Sequence, residues 1–331
     1  MWYSAPAPGI CAAARETTLS GHPLAAAAAL ATSLTGAAAQ APSPLDPKIE
    51  ILEIDREQYD RMTVPVTIQG QGPFDFLIDT GAQATVLSRA VADRLMLHDR
   101  DTATLVGMAS IRTVETTPID DFTLGSRNFY IRQAPVVEGE HIGGADGILG
   151  LDSLQNQRVL LDFHKREIAV ADAEELGGNR GYEIVVRARE LLGQLISTSA
   201  RLDGVQVDVI VDTGAQGSVG NMALFARLRR NRDVGETEMT DINGATLGGV
   251  LRVARELKLG RASVQNFPIL FADSRPFHTL GLADKPALIL GMSELKLFRR
   301  VAIDFKTRRV LFDLPPDAGS FRRFVSDTTG T

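Results

Sequence analysis

The sequence predicts an all-β chain with short helices, arranged as two duplicated lobes with a functional site between them. One observation is a repeated pentapeptide, Asp79-Thr80-Gly81-Ala82-Gln83 and Asp212-Thr213-Gly214-Ala215-Gln216, each copy entered by an apolar run, Phe76-Leu77-Ile78 and Val209-Ile210-Val211. A second is that matching segments follow both copies in the same order. Asp146-Gly147-Ile148-Leu149-Gly150-Leu151 precedes Val159-Leu160-Leu161-Asp162-Phe163, and Leu288-Ile289-Leu290-Gly291-Met292 precedes Val301-Ala302-Ile303-Asp304-Phe305. The repeated acids stand 133 positions apart and the Asp-Phe pairs 142 apart. A period of that length means duplicated lobes rather than a solenoid. The third observation is strand-like alternation broken by glycine turns throughout both halves.

The elements follow in order. Met62 to Ile68 alternates as a strand, Gln69-Gly70-Gln71-Gly72-Pro73 is turn chemistry, and Phe74 to Ile78 returns as the strand presenting Asp79. Ser88 to Leu97 has helical spacing with Ser88 as cap. Leu105 to Val114, broken at Gly107, reads as a hairpin, and Asp121 to Val137 as two strands around Gly125-Ser126. The second half repeats this plan. Leu195 to Leu202, an Asp203-Gly204 turn and Val205 to Val211 form the acid-bearing hairpin; Met222 to Leu228 is the short helix; Thr237 to Val250 folds around Asn243-Gly244. The expected division is a first lobe over 46–172, a Gly-rich and charged linker over 173–181, a second lobe over 182–314 and a loose tail over 315–331.

A carboxylate on a tight turn at the end of a buried strand is costly to desolvate, so a chain that builds it twice uses both acids together. Two adjacent carboxyls holding one proton between them act as base and acid at once, because repulsion disfavours ionising both. Gly81 and Gly214 leave room for the turn and open the approach to the acids.

On these residues the chain resembles the aspartic peptidases. Asp-Thr-Gly-Ala-Gln followed by Thr85-Val86-Leu87-Ser88 is most similar to their retropepsin-like branch, and the resemblance spans about residues 60 to 314. It implies a bilobal acid-protease fold of two retropepsin-like β-barrel lobes, a pseudo-dimer within one chain, with Asp79 and Asp212 as the catalytic pair. It implies that Thr80 and Thr213 hydrogen-bond across to the opposite acid loop, and that Ile148-Leu149-Gly150 and Ile289-Leu290-Gly291 pack beside the acid turns. Ala82 and Ala215 stand where pepsin-like relatives often have a hydroxyl donor, and its loss favours a raised pKa and activity at weakly acidic to neutral pH. The hairpins at Gly107-Met108 and Asn243-Gly244 are the candidate flaps, two rather than one, although neither contains the tyrosine of the pepsin pattern. The expected substrate is an extended polypeptide with apolar side chains flanking the cut. Met108, Ile111 and the strand Phe267 to Phe271 are candidate pocket walls. The competing reading is a non-catalytic peptide-binding protein using the same cleft.

Composition bounds the rest. At 331 residues the chain is long enough for each lobe to bury a core of its own. A net charge of −6 gives no general attraction to nucleic acid or anionic lipid. The cluster Arg227, Arg229, Arg230 and Arg232 reads as a solvated helix face. The histidines His22, His98, His141, His164 and His278 are scattered, so no metal site is expected and no cofactor is implied. Gly143-Gly144-Ala145-Asp146-Gly147 lacks the ending of a phosphate loop. Residues 1–45 differ in composition: an alanine-rich apolar stretch from Leu24 to Ala31 leads to Ala37-Ala38-Ala39-Gln40, a small-residue pattern expected to be cut after Ala39. Positive charge ahead of it is weak, Arg15 being offset by Glu16, and the alternative is a disordered leader. The expectation is export, periplasmic or secreted, as a monomer without a membrane span once the leader and its lone Cys11 are removed; the alternative is a cytoplasmic chain or one anchored by an uncut leader.

Overall fold

The computed structural model describes residues 2–6, 50–53, 55–56, 62–125, 127–182, 184–228 and 233–315. The cut after Ala39, Cys11, the arginines 229, 230 and 232, and all but the first residue of the tail lie outside them. Of the leader, only Trp2–Pro6 is described, an edge strand antiparallel to Asp101–Val106. Among the described residues no helix is long and apolar enough to cross a membrane.

Each lobe is built on the hairpin that carries its acid. In the first, Val64, Val66 and Ile68 of Met62–Ile68 are buried and face Phe74 and Phe76 of Gln71–Ile78, in register Val64 with Phe76 and Val66 with Phe74. Burying a side chain of this size is worth about 2 kcal/mol. The turn between them is shorter than the sequence suggests. Gln69 and Gly70 make the turn with left-handed backbone, and Gln71 and Gly72, the latter also at positive φ, already belong to the strand. The second lobe repeats this with Gln194–Leu202, left-handed Asp203 and Gly204, and Val205–Val211.

Beside each acid strand runs a short parallel strand, Gly147–Leu149 or Ala287–Leu290. Each also pairs, antiparallel, with the strand leaving the acid turn, Val86–Ser88 or Ser218–Gly220. The apolar-Gly segments therefore thread between the two arms of the acid turns. Close approach explains their glycines: a Cβ on Gly150 would lie 2.4 Å from the Ala84 backbone, and one on Gly291 2.6 Å from the Gly217 carbonyl oxygen. The short helices after the turns are capped as side chains allow. Ser88 Oγ accepts the Val91 N–H at the start of Arg89–Arg94, and Asn221 Oδ1 accepts that of Leu224 at the start of Met222–Arg227.

Two expectations need correction. The strands assigned separately to Leu105–Val114 and the region after Asp121 are one long strand, Ile111–Leu124, hydrogen-bonded first to Asp101–Val106 and then to Arg127–Val137. The lobes also do not bury separate cores. The Asp-Phe strands pair with each other, Arg158–Asp162 antiparallel to Arg300–Asp304, and with Glu167–Ala171, Arg309–Asp313, Ile184–Arg187 and Glu50–Glu53 they form a six-stranded sheet shared by both halves. One apolar cluster runs from Val64 and Phe76 through Val159 and Ile303 to Val209 and Leu290. At the sheet's centre Arg158, 1% exposed, pairs with Asp304 at 2.6 Å and donates to the Gly178 carbonyl and to Asn179, tying down the segment expected to be a linker.

Candidate active site

Asp79 and Asp212 each follow directly on the end of a buried strand and are 3% and 1% exposed. Their main chains are held alike, Asp79 N to Leu149 O and Asp212 N to Leu290 O, both at 3.1 Å. Their carboxylates are also cradled alike. Gly81 N donates to Asp79 Oδ1 at 2.8 Å, while Gly214 N and Ala215 N donate to Asp212 Oδ1 at 2.9 and 3.2 Å. The glycines show where the acids meet. A Cβ on Gly81 would lie 2.3 Å from Asp212 Oδ2, and one on Gly214 would lie 2.2 Å from Asp79 Oδ2. Each carboxyl therefore rests on the other lobe's turn, and the two are hydrogen-bonded to each other.

The threonines lock this arrangement. Thr80 Oγ1 donates to Val211 O at 2.9 Å and accepts the Thr213 N–H at 3.1 Å; Thr213 Oγ1 donates to Ile78 O at 2.7 Å and accepts the Thr80 N–H at 3.0 Å. Four buried bonds thus cross between the lobes at the base of the acids. Burial, together with the charge of Asp79 and the bond between the carboxyls, pushes Asp212 up to about 7; the Gly214 N–H acts in the opposite sense. A carboxyl held in its neutral form beside a second carboxyl can act as a proton donor while the other acts as acceptor.

Several supporting residues were not found by sequence reasoning. Thr85 N and Oγ1 donate to Asp152 Oδ1 at 2.9 and 2.7 Å, and in the other lobe Ser218 Oγ donates to Glu294 Oε2. Burial pushes both of these acids above the usual carboxyl range. Their hydroxyl partners in turn accept Gly150 N and Gly291 N at 3.2 Å, bracing the segments behind the acid turns. The signal available was an acid two or three residues past each of those glycines. Gln194, fully buried, donates to Gly81 O at 2.6 Å from the second lobe, and nothing in its local pattern marks it.

Both candidate hairpin tips reach the site. Met108, 8% exposed, packs in an apolar cluster with Ala215, Val219, Leu270 and Phe277 of the other lobe. Ile242 packs in turn against a first-lobe cluster containing Leu77, Ala82, Ile142 and Ile148. Gly244 takes left-handed backbone, and a Cβ there would lie 2.5 Å from His141 Nε2. Asn243 does not take that backbone; its side chain, 6% exposed, instead donates to Ser110 Oγ at 3.0 Å. Between tips and acids lies a cavity of about 550 Å³, touched by both aspartates and walled by Leu77, Ile148, Val219 and Leu270. Met108 and Pro268 also line it, as expected for pocket walls. Ile111 is 55% exposed, and Phe267 and Phe271 lie in the core because alternate residues of their strand point away from the cleft.

Two family models match the chain: gag-polyprotein putative aspartyl protease over residues 64–156 and aspartyl protease over 198–293. Each match contains one repeated acid turn and one threaded apolar-Gly segment. No curated protein matches the chain.

Proposed function

Because the chain belongs to the retropepsin-like aspartic peptidases and carries both protease lobes in one polypeptide, we propose that it is an endopeptidase in which Asp79 and Asp212 together activate a water molecule. The observation that carries this reading is the pairing of two buried carboxyls, each over the other's glycine.

The chemistry follows from that pairing. The ionised carboxylate takes a proton from water as the oxygen attacks the scissile carbonyl carbon, and the protonated carboxyl gives its proton to the carbonyl oxygen. Collapse of the tetrahedral species returns a proton to the departing amine and restores the shared state. The threonine bonds keep the carboxyls at a fixed separation, so little reorganisation is needed during reaction. Neither Ala82 nor Ala215 offers a hydroxyl to the acids, and an Asp212 near 7 supports working pH in the weakly acidic to neutral range. The hairpins act as two flaps, their strands supplying main-chain groups to an extended peptide whose apolar side chains occupy the walls around Leu77, Ile148, Val219 and Leu270.

Digestion of a peptide library by the purified chain between pH 3 and pH 8 tests the reading. Cleavage by the native chain, abolished in Asp79→Asn and in Asp212→Asn with peptide binding retained, is the expected result. A native chain that binds peptides but cuts none across that range would reassign the cleft to binding alone.

A further inference from the structure

The two hairpin tips occupy equivalent places in their lobes but differ in chemistry. Gly107 N donates to Ser110 O at 2.8 Å to close the first tip, and Asp241 N donates to Ala245 O at 2.8 Å to close the second. One tip therefore has a glycine where the other has a carboxylate. Asp241 is 3% exposed. Its Oδ1 accepts the N–H groups of Asn243 and Ala245, both at 2.9 Å, within its own turn. Its Oδ2 reaches the opposite lobe, accepting Ala109 N and Ser110 N at 3.0 Å and the Ser110 hydroxyl at 2.9 Å.

A carboxylate taken out of water needs such a set of donors, and three of these five come from the other lobe. Gly107 answers the same demand, since a Cβ there would lie 2.3 Å from Asp241 Oδ2. On its far side the first tip is held through the Met108 carbonyl, which accepts Ser274 Oγ at 2.8 Å and Arg275 N at 3.1 Å. Identical tips related by a two-fold axis would oppose glycine to glycine or carboxylate to carboxylate. Two lobes in one chain can oppose a donor to an acceptor. The contact is also reversible, because water satisfies the carboxylate when the tips part and backbone donors satisfy it when they meet.

We propose that Asp241 is a positioning residue, the catch that holds both hairpin tips closed over Asp79 and Asp212, and that a peptide enters and leaves by its release. The catalytic consequence rests on the peptidase reading; the catch itself is measurable without a substrate. Amide hydrogen exchange on the full chain should show Ala109 and Ser110 exchanging at least about ten-fold faster in Asp241→Ala, the loss expected for hydrogen bonds to a charged acceptor. Amides of Gln71–Ile78 and Val205–Val211 should be unchanged. Ser110→Ala, which removes one cross-lobe donor, should act in the same direction and less strongly, and it carries the test if Asp241→Ala does not fold. With a peptide substrate, KM should rise about ten-fold in Asp241→Ala while kcat and its pH dependence change little. Unchanged exchange at Ala109 and Ser110 in a folded variant would overturn the catch whether or not the chain cuts peptides. Faster exchange with an unchanged KM would overturn its role in holding substrate.

Discussion

At the acid turns the two lobes make the same cross-lobe contacts, whereas in the shared sheet and at the hairpin tips they have diverged. Thr80 and Thr213 make the same pair of cross-lobe contacts, and Gly81 and Gly214 meet the opposite carboxylates at nearly the same distance. Elsewhere equivalent residues differ. Arg158 is 1% exposed and pairs with the fully buried Asp304, while Arg300, at the same place in the partner strand, is 26% exposed by its side chain and pairs with Asp313. The tips oppose Gly107 to Asp241. Chemistry that needs both halves at one point keeps them alike, whereas contacts made once per molecule are free to differ.

Equivalence is tested most severely at the acids. Asp79→Asn and Asp212→Asn should each lower kcat/KM by about 10³-fold or more, because removing either carboxyl ends acid and base action together. Steady-state kinetics would break the symmetry if one variant kept near-native activity. The arginines should behave unequally. Arg158→Ala strands a buried carboxylate and should cost about 3–5 kcal/mol in chemical denaturation, against about 1 kcal/mol for the more exposed Arg300→Ala. Equal losses would mean that the difference in burial has no energetic consequence.

Smaller and symmetric effects belong to the lock. Thr80→Ala and Thr213→Ala should each destabilise the chain by about 2 kcal/mol, the loss of two buried hydrogen bonds, with much of it restored by serine. Thermal unfolding of the four variants would show this. The pH dependence of stability comes last. Asp212 in the folded chain is raised from 3.8 to about 7, so the native state keeps a proton that the unfolded chain has released. The stability this contributes is complete below 3.8 and is lost as pH rises through about 7. Denaturation midpoints measured from pH 4 to pH 8 should therefore slope downward in the native chain, and the slope should flatten in Asp212→Asn.

Much of this was legible in the chain itself. A repeated Asp-Thr-Gly-Ala-Gln after an apolar strand marks a local conformation, and local conformation is what turns and alternation encode, so both acid turns and the hairpins that present them are legible there, while the threonine bonds between lobes are implied only by the family resemblance. What escaped depends on pairing between distant segments. The Val159-Leu160-Leu161 run shows a strand but not that its neighbour is Val301-Ala302-Ile303, 142 positions on. Asp241 and Gln194 carry no local mark because their partners, Ser110 and Gly81, lie more than 100 positions away in sequence. Phe267 to Phe271 is a candidate pocket wall by sequence, yet alternation sends Phe267 and Phe271 into the core and leaves Pro268 and Leu270 on the cleft.

The claim on which the rest depends is that the two carboxyls work as one proton-sharing unit. The dependence of kcat/KM on pH for a peptide cut by the purified chain measures that unit directly. A bell-shaped profile with its upper limb near pH 7, lost in both single Asn variants, is the predicted result. An optimum near pH 2, or a profile untouched by either substitution, would contradict it.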